Sequence, residues 1–184
     1  MNKTLLSAAL VATLGALAVV PAANAAPTPN TGTIQISGKV LQDTCTVTVN
    51  GGAGNTVTLT PVMASNLAAS GNVAGATPFT LNLSNCDRNA TQAKLSFASG
   101  ANNNSTDGNL KNSTSTGSAG NVEVQLLAGG TSGSAINVSN DTNAPTIALS
   151  SGSGSTAMAA QYYATGAATP GLVNTSASIT FTYQ

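Results

Sequence analysis

Residues 32–45 read GTIQISGKVLQDTC, and the fold turns on how this stretch is used. Ile34, Ile36, Gly38 and Val40 fall on one side of an extended chain, and Thr33, Gln35, Ser37 and Lys39 on the other. A period of two is the pattern of a half-buried β-strand. The strand lies ahead of the first cysteine and close to the start of the exported chain. It can pair within its own domain, with Gly38 marking a bulge, or it can leave and complete another domain.

What precedes it is not part of the fold. Lys3 is followed by an uncharged apolar run over residues 5–20, then Pro21 and the small-x-small motif Ala23-Asn24-Ala25. This is the pattern of a secretory signal peptide, residues 1–25, cleaved after Ala25. The run is short for a bilayer span. Residues 26–31, APTPNT, carry two prolines and no apolar period, and read as an extended leader. The expected organisation is a signal peptide over 1–25, an N-terminal extension with its strand over 26–43, and one domain over 44–184.

Downstream of residue 44 the same alternation recurs in short pieces. Strands are expected at 44–50, 55–60, 77–86, 94–97, 121–128, 135–138, 146–149, 157–165 and 177–184, with a short helix or irregular loop at 63–72. Residues 100–120 are almost entirely Asn, Ser, Thr and Gly, the composition of a long exposed loop or hairpin. The final stretch, ASITFTYQ, puts Ile179, Phe181 and Tyr183 on one face, with Gln184 closing it. Short strands, frequent turns and no long helix predict an all-β sandwich. The absence of tryptophan, and both cysteines in the first half, depart from the antibody-domain pattern.

Composition narrows the function classes. After removal of residues 1–25 the chain has four cationic and five acidic side chains, a net charge near −1. No basic patch for nucleic acid or anionic lipid follows from that balance. A surface rich in hydroxyls and amides and poor in charge gives little repulsion between copies, which suits a protein that packs against itself. Cys45 and Cys86 are the only cysteines and histidine is absent. In an exported chain such a pair is expected to form one disulfide rather than a metal site. No cofactor is implied. Catalysis lacks a histidine base, a free thiol and a carboxylate cluster. Asp87 and Arg88 read as a turn with solvated charges, and of the tandem Tyr162 and Tyr163 one is expected to face the core and the other outwards.

Several blocks resemble one family. ISGKVLQDTCTV is similar to the N-terminal block of pilins of the chaperone–usher pathway, especially the major subunit of type 1 fimbriae. FTLNLSNCDRNATQAKLSF resembles the block around their second cysteine. QYYATGAATPG and the terminal SITFTYQ resemble the stretches that end the family's domain. The resemblance is weakest over residues 100–142.

The resemblance implies an incomplete immunoglobulin-like β-sandwich, the pilin fold, lacking its last strand. It implies a donor strand from another subunit, with Ile34, Ile36, Gly38 and Val40 filling pockets of the neighbour. The strand of Ile179, Phe181, Tyr183 and Gln184 would border the groove and meet a periplasmic chaperone. An outer-membrane usher would then assemble a homopolymer, a fimbrium on the cell surface that supports adhesion to host glycan or protein. The competing expectation is a minor adaptor subunit, or an adhesin-type secreted sandwich that binds glycan. Only a leader and one strand precede Cys45, with no room for a separate lectin domain, which favours a stackable subunit.

Overall fold

The computed structural model describes Gln35 and residues 45–50 and 55–184. The chain divides into two compact units, Met1–Gly38 and Lys39–Gln184, and the fold described here is that of the second. The expected signal peptide and the residues Ile34, Ile36, Gly38 and Val40 lie outside the described residues.

Among the described residues nine strands form two sheets, with one 3-10 turn at Ala64–Leu67. The strands are β1 (Thr46–Val49), β2 (Val73–Ser84), β3 (Gln92–Phe97), β4 (Leu110–Lys111), β5 (Val122–Ala128), β6 (Ser134–Ile136), β7 (Thr146–Ala148), β8 (Gly154–Ala164) and β9 (Ile179–Tyr183). The larger sheet runs β1-β2-β8-β5-β4, with β6 also on β5, and the smaller runs β7-β3-β9. All the pairings are antiparallel.

The period-two pattern explains which side of each strand is dry. Leu81 and Leu83 of β2, Val124 and Leu126 of β5, and Met158 and Ala160 of β8 point inwards from the larger sheet. Ala93, Leu95 and Ile147 meet them from the smaller one, each 1% exposed or less. These faces make one sandwich core. The disulfide Cys45–Cys86 closes one end, joining the residue before β1 to the turn after β2. There Gly152, at φ +79°, brings its Cα so close to the Cys86 carbonyl that a Cβ would lie 2.6 Å from the oxygen.

Two expectations are corrected. Residues 55–60 are extended, and Val57 and Leu59 do turn inwards, but no ladder partner makes them a strand. They are held at their ends by side chains: Val49 N donates to Asn55 Oδ1 (3.2 Å), and Thr60 N donates to Thr77 Oγ1 (3.5 Å). Residues 100–120 are not simply an exposed loop. Gly108, Asn109 and Leu110 are buried, and β4 joins the larger sheet. The asparagine-rich composition builds Asx turns that let the chain fold back: Thr106 N donates to Asn104 Oδ1, Asn109 N to Asp107 Oδ1, Ser139 N to Asn137 Oδ1 and Thr142 N to Asn140 Oδ1.

Candidate functional site: an open groove in the sandwich

The core is covered unevenly. Leu95 is fully buried, but Val47, Val49, Val57, Leu59, Ile179, Phe181 and Tyr183, which pack against the same core, are only half-buried. Val47, Val49, Val57, Leu59 and Ile179 flank one opening. A cavity of about 540 Å³ lies between residues 55–60 on one side and 173–179 on the other. Its floor is Leu81, Leu95, Val124 and Met158, so the opening reaches the sandwich core itself.

The β9 wall is an unpaired sheet edge. Among the described residues β9 pairs only with β3, in the register Leu95↔Phe181 and Phe97↔Ile179. Gln184 and Gln92 exchange backbone bonds of 3.0 and 3.2 Å, and Ala98 N donates to Ser178 O at 2.9 Å. Even-numbered backbone groups therefore face β3. In an antiparallel ladder the odd-numbered N–H and C=O groups must then point the other way. Those are the groups of Ile179, Phe181 and Tyr183, which have no backbone partner among the described residues. Ile179 thus lines the groove, and the backbone groups of all three residues run along the sheet edge that continues from it. Upstream, Val173, Thr175 and Ala177 continue the inward phase, and Thr175 Oγ1 is buried without a hydrogen-bond partner. An exposed apolar edge of this kind is a template for another strand.

Ile179, Phe181 and Tyr183, picked out by their alternation, stand together on β9, with Ile179 lining the groove, and Gln184 follows with its backbone bonded to Thr91 and Gln92. Cys45 and Cys86 are bonded to each other, and neither lines the groove. Tyr162 turns into the groove, where burial pushes its phenol pKa up, and Tyr163 takes the opposite face as β8 alternates. The opposite wall at Val57 and Leu59 and the extension of the rim back to Val173 were not singled out from the sequence. The unbroken period of two from Val173 to Tyr183 is the signal that carries the latter.

A family model described as fimbrial protein matches residues 34–184. The chain belongs to the fimbrial protein family. This fimbrial protein is 38% identical over 174 residues to the major fimbrial subunit SMF-1 of Stenotrophomonas maltophilia, covering 91% of this chain and 99% of the relative. It is 34% identical over 178 residues to fimbrial subunit type 1 of Klebsiella pneumoniae, covering 95% and 96%. Among solved structures, the P pilus rod subunit PapA superposes with a TM-score of 0.57 at 19% identity, over 76% of this chain and 99% of that one. A subunit of a chaperone–usher pilus superposes with a TM-score of 0.58 at 22% identity, over 86% and 100%. The structural likenesses show the fold, an incomplete immunoglobulin-like sandwich with one disulfide. The sequence relatives are fimbrial subunits.

Proposed function

We propose that this fimbrial protein is a pilus subunit that polymerises by donor-strand complementation into a surface filament supporting adhesion. The observation that carries the reading is the groove: an apolar trench open to the core and bordered by the unpaired edge of β9. Strand addition suits such an edge, because main-chain hydrogen bonds satisfy the rim while alternate side chains fill the trench. Residues 26–43 of a second copy carry the matching pattern. Ile34, Ile36 and Val40 enter the core, each contributing roughly 1.5–3 kcal/mol on full burial. Gly38 lies where the trench leaves no room for a side chain. The extension cannot complete its own domain and a neighbour's at once, so each copy needs the next, and the assembly is an open head-to-tail chain.

Export fits the same scheme. Residues 1–25 direct the chain out of the cytoplasm and are removed after Ala25. Until a neighbour arrives, the open core needs cover, and a periplasmic chaperone supplies a strand along the β9 edge. The outer-membrane usher then exchanges that strand for the extension of the next subunit. The filament contacts host glycan or protein on the outside.

Two substitutions test the scheme. A mature chain carrying Gly38→Leu is expected to fold and to stop growing filaments, since forcing a larger side chain into a packed site costs about 1–3 kcal/mol or more. Electron microscopy of cells relying on that variant reads the result, and filaments of normal length and number would overturn the assignment of Gly38. Tyr183→Ala removes apolar surface at the rim where the chaperone strand docks. It is expected to lower the yield of chaperone-bound subunit in periplasmic extracts several-fold. Undiminished complex would remove Tyr183 from the docking edge.

A further inference from the structure

The face of the larger sheet turned away from the groove carries a buried acid that strand exchange does not use. Along β5 the inward positions Val122, Val124 and Leu126 alternate with Glu123 and Gln125. The Asx-turned loop of residues 103–110 covers both. Glu123 is only 8% exposed and Asn109 only 1%. Glu123 Oε1 accepts a hydrogen bond from Asn104 Nδ2 (2.8 Å). Its Oε2 is buried with no partner, as is Asn109 Nδ2. Asn109 Oδ1 accepts from Gln125 Nε2 (3.2 Å), and Gln125 Oε1 accepts from Gln161 Nε2 (2.8 Å), so an amide chain ties the loop across β5 to β8.

The groups around Glu123 do not neutralise it. Asp107, from the loop itself, is the nearest ionisable neighbour and holds Asn109 N through Oδ1 (3.0 Å). Lys111 of β4 is paired with Glu123 in the ladder, but its side chain lies in solvent. Tyr163 is the cross-strand partner on β8. A half-satisfied carboxylate out of water beside a second carboxylate is unfavourable.

We propose that Glu123 is a proton-operated latch on the loop of residues 103–110: protonated, its Oε2–H donates to the Asp107 carboxylate and closes the loop onto β5; ionised, it leaves two like charges beneath the loop and loosens it. The Glu123 pKa is raised above its ordinary 4.5, first by burial and further by Asp107, with the Asn104 and Asn109 amides pulling it down. The sign follows from linkage. The folded chain keeps this proton to a higher pH than the unfolded chain does. The contribution to stability is therefore full in acid and is lost as pH climbs from the ordinary carboxylate value through the raised one. Mild acid tightens the loop, and neutral pH loosens it.

The test is amide hydrogen exchange of the oxidised mature chain at pH 4.5 and pH 8, expressed as protection factors so that intrinsic exchange cancels. The amides of Asn104 and Gly108, bonded within the loop to Asn109 O and Asn104 O, report on it. Protection is expected to be several-fold higher in acid. In Glu123→Gln the pH dependence should vanish, in Asp107→Asn it should shrink because the burial of Glu123 remains, and Glu123→Gln should be the better protected chain at pH 8. Equal protection at the two pH values in the unaltered chain, or a pH dependence that survives Glu123→Gln, overturns the latch. If Glu123→Gln folds poorly, the carboxyl-carbon resonance of Glu123 in the unaltered chain decides, and a titration midpoint at or below 4.5 overturns it. Of this loop Leu110 lines the groove, while Glu123, Asp107 and the reporting amides do not, so the outcome is distinguishable from that of strand exchange.

Discussion

A synthetic peptide of residues 31–42, added to an oxidised domain of residues 43–184, is expected to raise the thermal midpoint by about 10 °C or more. The domain alone leaves Val47, Val49, Val57, Leu59 and Ile179 half-buried over an open trench. Three apolar side chains entering that trench contribute several kcal/mol, partly offset by the cost of ordering the peptide. The backbone groups of Ile179, Phe181 and Tyr183 gain partners in the same step. A peptide with Ile36→Asp should give no such rise, because a carboxylate would be carried into an apolar pocket. Scanning calorimetry on the domain alone, with the peptide and with the Ile36→Asp peptide separates the cases. A midpoint that is high without peptide and unchanged by it would mean that the sandwich is complete by itself. The glycan-binding module would then be the better reading.

The second large effect is the disulfide. Replacing both Cys45 and Cys86 by serine is expected to destabilise the domain by about 4 kcal/mol, from the closure entropy of a loop of 41 residues. Domains of this size have a total of about 5–15 kcal/mol, and this one lacks a strand. The double-serine chain should therefore fail to reach a cooperative fold in water unless a donor peptide is present. Urea unfolding followed by far-ultraviolet dichroism reads this. A transition midpoint within a few tenths molar of the oxidised chain would show that the bridge is dispensable. The geometry explains why the bridge sits where it does. β1 is only four residues long and, among the described residues, is held by its ladder to β2 alone, so the bridge fastens its leading end.

Much of the fold was legible in the sequence because a strand in a two-sheet sandwich needs only one property, a dry face every second residue. Leu81 and Leu83, Val124 and Leu126, and Phe181 and Tyr183 announce themselves by spacing alone. The groove was legible only indirectly. Residues 55–60 alternate like a strand, and nothing local says that their partner is missing. Residues 100–110 look like solvent-exposed loop because Asn, Ser and Thr dominate, yet the same amides make the turns that bury Asn109. Glu123 reads as an outward charge on a β-strand, and only the loop above it makes it a buried acid.

What the sequence determined by itself is local: the period-two strands, and the alternating pattern of residues 34–40 ahead of Cys45. Each depends on residues near one another in the chain. The tertiary structure alone decided which edge stays open, which apolar residues remain half-covered and which carboxylate loses its water. Those are properties of the space between sheets. They are set by residues far apart in sequence, such as Val57 and Ile179, meeting across a gap that their own domain does not fill.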